Sequence, residues 1–181
     1  MENKLELRMY GFVNYQLTGI QMGIQFSHAL VEYSLENSHS DDYLDWANNW
    51  KTVIVLNGGS TNNNSERLGT INQILKVLIE NNIICSFFNE PDLGDQLTSV
   101  VFIVDERVFN REKYPDFEDW LVNNYGDLIR TEQLTSTDIL AQKIIDSKSK
   151  SDKKIYNEWV QIVGGDKNVF LRNFLKNFKL A

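Results

Sequence analysis

The side chains of this sequence that could do chemistry are two histidines, one cysteine and scattered carboxylates. His28 could act as an acid or base near neutral pH, or it could pack where a helix meets a sheet. Cys85 lies in an apolar run, which favours a buried, inert thiol. Glu90, Asp92 and Asp95 could bind a divalent cation, but they lack the spacing of a calcium loop, so a solvated surface is favoured.

The hydrophobic pattern predicts the elements that must position these residues. Apolar alternation and β-branched runs predict four strands, at about 5–13, 51–56, 83–88 and 98–104. Helical spacing predicts helices at about 20–35, 41–46 and 68–80. The order β-α-(α)-β-α-β-β predicts an α/β fold, with a mixed sheet and helices packed on it.

The first predicted helix carries apolar and small residues on one face. That face comprises Ile20, Ile24, Ser27, Leu30 and Val31. Gly23 and Ser27 are small, so another backbone could come close to this helix.

The rest of the chain is predicted to be a helical extension, residues 109–181, of an α/β domain at 1–108. Its helices are expected at about 116–123, 135–147, 152–163 and 167–178, with Gly164-Gly165 separating the last two. Residues 1–108 hold 6 basic and 14 acidic residues, whereas residues 148–179 hold eight basic and three acidic. The acidic domain repels a polyanion, so if the protein binds nucleic acid, the contacts to phosphates are expected from the tail. The candidates are Lys148, Lys150, Lys153, Lys154, Lys167, Arg172 and Lys176.

Composition excludes several classes of protein. No apolar stretch reaches the roughly 18 residues of a transmembrane helix, and residues 1–8 do not resemble a signal peptide. A single cysteine allows no internal disulfide, so we expect a reducing, cytoplasmic setting. The sequence has no zinc-ligand set and no phosphate-binding glycine motif, and we expect no cofactor.

Residues 21–29, Gln-Met-Gly-Ile-Gln-Phe-Ser-His-Ala, resemble the start of the first helix in type II peptidyl-tRNA hydrolases, the archaeal and eukaryotic type. Gln25, Ser27, His28 and Ala29 match that family in register. The order and lengths of the predicted elements over residues 5–104 also fit. The resemblance implies a four-stranded mixed sheet flanked by helices, and a homodimer.

The resemblance also implies cleavage of the ester that joins a peptide to tRNA. The family uses a Lys just before the helix, and an Asp and a Thr on the loop after the third strand. Here Gln21 occupies the Lys position, and Glu90 followed by Pro91-Asp92 replaces the Asp and its neighbours. Thr98 lies at the start of the next strand, not at the family spacing. Residues 9–50 contain no Lys or Arg that could stabilise negative charge on the ester.

Three functions remain open at this point. The first is a diverged, non-catalytic relative that uses the family's cleft to bind a ligand or partner. The second is an active hydrolase of peptidyl-tRNA or a related ester, with tRNA held by the basic tail. Its candidate catalytic residues are Gln21, His28, Glu90, Asp92 and Thr98. The third is a structural or assembly protein whose apolar tail helices mediate oligomerisation.

Overall fold

The computed structural model describes three stretches of the chain, residues 4–64, 66–131 and 150–181. They belong to two compact units. One contains the chain up to Glu106 together with Phe170–Ala181, and the other contains Arg107–Val169. The domain boundary predicted after residue 108 lies close to the division between Glu106 and Arg107. The last twelve residues, which were predicted to be part of the extension, belong instead to the unit that holds the sheet.

The sheet of the first unit is mixed and has the strand order β2-β1-β4-β3. Its strands are β1 Leu7–Val13, β2 Thr52–Asn57, β3 Cys85–Glu90 and β4 Gln96–Asp105. β1 pairs with β2 in parallel and with β4 antiparallel, and β3 pairs with β4 antiparallel. The predicted α/β fold with a four-stranded mixed sheet is confirmed at this level.

Six of the seven α-helices of the described residues lie near predicted helices. The short helix Glu106–Phe109 was not predicted, and the helix predicted at 116–123 continues to Thr131. The seven are α1 Gly19–Glu36, α2 Asp41–Asp45, α3 Thr70–Glu80, α4 Glu106–Phe109, α5 Phe117–Thr131, α6 Lys150–Ile162 and α7 Asp166–Leu175. Gly164 and Gly165, both at a φ of 94°, separate α6 from α7 as predicted. The helix predicted over 135–147 falls outside the described residues. Within the described stretches, no helix has both the length and the apolar character needed to cross a bilayer.

The apolar face predicted for α1 is exposed over most of its length, and of its residues Leu30 packs against the core. Ile20, Ile24 and Val31 are exposed. The buried residues of α1 are Gln25, Phe26, Ala29 and Tyr33. These residues recur at the same helical spacing, so α1 has two possible packing faces, and the one with the larger rings contacts the sheet. Gly11 of β1 makes this possible, because a Cβ there would lie 2.4 Å from the Phe26 ring.

The other face of the sheet is covered partly by the last residues of the chain. Phe12 points away from α1, since side chains alternate along a strand. Its ring centroid lies 6.0 Å from that of Phe174 and 4.6 Å from that of Phe178. Leu180 then forms an antiparallel bridge with Leu56 of β2. These contacts explain why the C-terminal residues belong to the sheet unit.

Candidate functional site

Two of the predicted site residues, Glu90 and Thr98, lie at one edge of the sheet. The carboxyl ends of β1, β2 and β3 meet there, because these strands run in the same direction. β4 begins and α1 starts at the same edge. In open α/β sheets, ligands bind outside the carboxyl ends of the strands. We call this region the polar edge and define it as Asn14, Gln25, Glu90, Thr98 and Ser99.

A β-bulge places Thr98 in this region. Phe88 of β3 pairs with Ser99, but Asn89 pairs with Leu97, so one step along β3 matches two steps along β4. Thr98 is therefore the extra residue, and such bulges redirect side chains. The Thr98 hydroxyl reaches Gln25 on α1, 2.6 Å away, although Thr98 itself is fully buried.

Gln25 links Thr98 to Glu90 through a chain of hydrogen bonds. Its Nε2 donates to Oε2 of Glu90 at 2.5 Å. An ionised carboxylate only accepts, so the NH₂ group of Gln25 must face Glu90 and Oε1 must face Thr98. The Thr98 hydroxyl consequently donates to Gln25 Oε1. Gln25 is buried and Glu90 is half-buried, so the chain runs from the core to the surface.

This order of donors and acceptors limits the chemistry of Thr98. A hydroxyl nucleophile needs a neighbouring base that can take its proton. The neighbours of the Thr98 hydroxyl are the amide oxygen of Gln25 and, at 3.1 Å, the carbonyl oxygen of Phe88. Neither group is a general base. Gln25 lies between the hydroxyl and Glu90, the nearest carboxylate in the chain of hydrogen bonds.

Gln21 has a structural role in the folded chain. It completes a capping box with Thr18, in which the Thr18 backbone N–H donates to Gln21 Oε1 at 2.9 Å. The Gln21 backbone N–H lies 3.4 Å from the Thr18 hydroxyl in return. The residue at the family's Lys position therefore stabilises the start of α1.

Two buried polar atoms near the polar edge have no hydrogen-bond partner among the described residues. They are Nδ1 of His28 and Oγ of Ser99. The His28 ring lies 4.5 Å from that of Phe88, which is the cross-strand neighbour of Ser99. His28 therefore packs at the junction of helix and sheet. This is one of the two roles that the sequence left open for it.

Asp92 is exposed and lies in the 3-10 turn Pro91–Leu93. Its backbone N–H lies 3.4 Å from Oε1 of Glu90, so Glu90 caps the turn. Cys85, on the same strand as Glu90, is largely buried, and this burial raises the pKa of its thiol to about 11. Among the described residues, no group of three or more metal-ligating side chains is placed to hold a metal ion.

The predicted nucleic-acid contacts are divided between the two units. Lys153, Lys154 and Lys167 are exposed in the second unit, and Lys176 is exposed in the first. Lys148 and the side chain of Lys150 lie outside what the structure describes. The prediction for Arg172 needs correction, because the residue is only 1% exposed. A contact with phosphates requires a guanidinium that is exposed to solvent, and that of Arg172 is not.

Sequence reasoning missed Gln25 as a site residue, although it matched the family string. A signal was present, since Gln25 is a polar residue within the stripe of Met22, Phe26 and Ala29. A polar residue on a buried face must find hydrogen bonds there.

No protein-family model matches this chain, and no curated protein is similar enough in sequence to count as a relative. The fold and the polar edge define a mixed α/β protein, and the peptidyl-tRNA hydrolase resemblance stays a prediction.

Proposed function

We propose that this protein is a diverged, non-catalytic relative of the type II peptidyl-tRNA hydrolases that binds a ligand or partner at the polar edge. The observation that carries the proposal is the hydrogen-bonded chain from Thr98 through Gln25 to Glu90. In this chain the hydroxyl donates to an amide and the carboxylate accepts from it. Both groups are used for positioning, and neither activates the other.

The surroundings of the chain support the same proposal. Ester cleavage needs a group that stabilises negative charge on the carbonyl oxygen. The position of the family's Lys carries Gln21, whose side-chain oxygen is used in the cap of α1. The absence of Lys and Arg from residues 9–50 means that α1 and the part of β1 after Arg8 carry no Lys or Arg.

The charge of the polar edge indicates which ligands it favours. Glu90 is half-buried there, and Asp92 and Asp95 are exposed on the adjoining hairpin. Carboxylates repel the phosphates of tRNA and attract hydrogen-bond donors and cations. We therefore expect a ligand with amine, amide or hydroxyl groups.

The proposal is tested first by hydrolysis of a labelled peptidyl-tRNA, with tRNA binding followed against salt concentration. The proteins compared are the native chain, Glu90→Gln, and Asp95→Asn as a control on the same hairpin. We expect no turnover and no salt-dependent binding by any of them. Turnover by the native chain that Glu90→Gln abolishes and Asp95→Asn retains would overturn the proposal.

A panel of small amines, amides and polyols, screened by thermal shift, tests the binding half of the proposal. A ligand at one hundred times its Kd stabilises the folded state by about 2.7 kcal/mol. We expect at least one compound to raise the Tm of the native chain and of Asp95→Asn, but not of Glu90→Gln. A panel that shifts none of the three, or all three equally, would contradict a site at the polar edge.

An active esterase is the second candidate. It is favoured by the positions of Glu90 and Thr98, two of the candidate catalytic residues, on either side of Gln25 of α1. The hydrolysis assay distinguishes this candidate from the first. The homodimer that the family resemblance implies stays a prediction, which sedimentation equilibrium measures directly.

A further inference from the structure

Residues 170–181, which we call the terminal segment, add a short strand to the edge of β2. The backbone N–H of Asn57 donates to the carbonyl oxygen of Lys179 at 3.0 Å, and the backbone N–H of Ala181 donates to that of Val55 at 3.0 Å. Peptides that add a strand to a sheet obtain affinity from main-chain hydrogen bonds of this kind, and specificity from side-chain contacts. This part of the β2 edge is therefore a docking site for an extended segment, and the chain itself occupies it.

Three aromatic rings of the terminal segment supply its side-chain contacts. Phe170, Phe174 and Phe178 recur every four residues, and the centroids of successive rings lie 5.2 Å and 4.9 Å apart. The last two rings meet Phe12 of β1 edge to face, a geometry that is favourable beyond the area it buries. We call the Phe12 ring and the backbone edge of β2 at residues 55–57 the receiving surface.

The terminal segment is held by few buried contacts. Leu180 is 72% exposed, and the rings of Phe174 and Phe178 are only half-buried. Segments with few buried apolar contacts and exposed backbone hydrogen bonds open locally at a small cost in free energy. Strands β1 to β4 pair with one another without the segment, and the chain reaches it only through the second unit, residues 107–169. The segment can therefore leave the receiving surface while the four-stranded sheet stays paired.

The charge of the terminal segment complements that of the rest of its unit. The segment contains Arg172, Lys176 and Lys179 and no acidic residue, whereas residues 1–108 hold 6 basic and 14 acidic residues. Opposite charges favour the encounter of two surfaces, and like charges disfavour it. A second copy of this chain therefore offers a segment whose sequence, rings and charge the receiving surface already accommodates.

We propose that the receiving surface also binds the terminal segment of a second copy, so that two chains exchange these segments. Exchange of an identical element is a low-cost route to a dimer, because the contacts are the same within one chain and between two. The exchanged form becomes populated as the protein concentration approaches the effective concentration of the tethered segment, about millimolar for a flexible link. This proposal uses residues outside the polar edge and does not depend on the proposed function.

The test measures, by fluorescence anisotropy, binding of a labelled synthetic peptide of residues 170–181 to the full chain. A matched peptide carries Ala in place of Phe174 and Phe178. The native chain is compared with Phe174→Ala/Phe178→Ala, which weakens its own segment, and with Ala181→Pro, which removes one N–H donor and keeps every ring. The control is Asn173→Gln, at an exposed position of α7.

The peptide binds only to the fraction of chains whose receiving surface is open, so its apparent Kd falls as that fraction rises. We expect the Kd of the native peptide to fall about tenfold or more in the double variant. Loss of one hydrogen bond in Ala181→Pro should lower it about two- to tenfold. Asn173→Gln should bind as the native chain does, and the Ala peptide should bind about tenfold or more weakly than the native peptide throughout.

Sedimentation equilibrium over a concentration series approaching millimolar tests the second copy itself. The native chain and Asn173→Gln should self-associate, and the double variant, whose segment lacks two rings, should do so far more weakly. A native chain that stays monomeric, or a dimer that the double variant forms equally well, would overturn the proposal. So would equal binding of the two peptides, or a Kd that Ala181→Pro leaves at the value of Asn173→Gln. Ala181→Pro decides the peptide comparison if the double variant does not fold.

Discussion

Thr98 and Ser99 are adjacent buried residues with hydroxyl groups, and only the hydroxyl of Thr98 forms a hydrogen bond to a described residue. Thr98 lies 2.6 Å from Gln25 Oε1, whereas Ser99 Oγ has no partner among the described residues. Thr98→Val and Ser99→Ala both remove a hydroxyl from a side chain that is 0% exposed. The two substitutions should therefore change stability by different amounts, and in different directions.

Thr98→Val keeps the shape and the β-branch of the side chain but leaves Gln25 Oε1 without its donor. Gln25 is only 7% exposed, so water does not readily replace the lost bond. An unsatisfied buried acceptor costs about 1–3 kcal/mol. For a chain of this size each kcal/mol corresponds to about 2–4 °C in Tm. We expect a loss of about 2 kcal/mol, or about 4–8 °C, for Thr98→Val, and no loss or a small gain for Ser99→Ala.

The stability changes are measured by calorimetry, together with hydrogen exchange of β4 amides, which reports on the sheet unit alone. A double-mutant cycle with Gln25→Met should show coupling of about 1 kcal/mol or more, since removing both partners leaves nothing unpaired between them. Equal effects of Thr98→Val and Ser99→Ala, or additive effects of Thr98→Val and Gln25→Met, would refute the hydrogen-bonded chain.

Three further predictions concern the packing of α1 and the state of the cysteine. Thr18→Ala should cost about 1 kcal/mol in a urea titration, because the capping box of α1 is lost; an unchanged midpoint would argue against that cap. Gly11→Ala should destabilise the fold by about 1–3 kcal/mol, because its Cβ would lie 2.4 Å from the Phe26 ring. Gly23→Ala should instead stabilise α1 by about 0.5–1 kcal/mol, because a Cβ at Gly23 meets open space. Similar effects of the two glycine substitutions on stability would contradict the packing of α1 on β1. Burial raises the pKa of Cys85 to about 11, so alkylation by iodoacetamide should be slow at pH 8 and accelerate as the pH approaches 11; rapid labelling at neutral pH would be inconsistent with that burial.

Two of the five residues of the polar edge, Glu90 and Thr98, were candidates from the family resemblance, but their connection could not be anticipated. The structure joins them through Gln25. The bulge that redirects Thr98 depends on how β3 and β4 pair, and pairing between strands leaves no signal in the local periodicity. The role of Gln21 in capping depends on its neighbour Thr18, and the pattern Thr-x-x-Gln was visible in the sequence.

The sequence by itself determined the kinds and order of the elements, because helical and strand periodicities are local properties of the chain. It also determined the division of charge, with an acidic first part and a basic tail. Only the tertiary structure decided which face of α1 is buried, because two faces of the helix are apolar. The face with Phe26 packs on the sheet, where Gly11 leaves room for its ring. It also decided that the last residues return to β2 and that Arg172 is buried. Contacts between residues far apart in sequence depend on the packing of the whole sheet unit, and no window along the chain contains them.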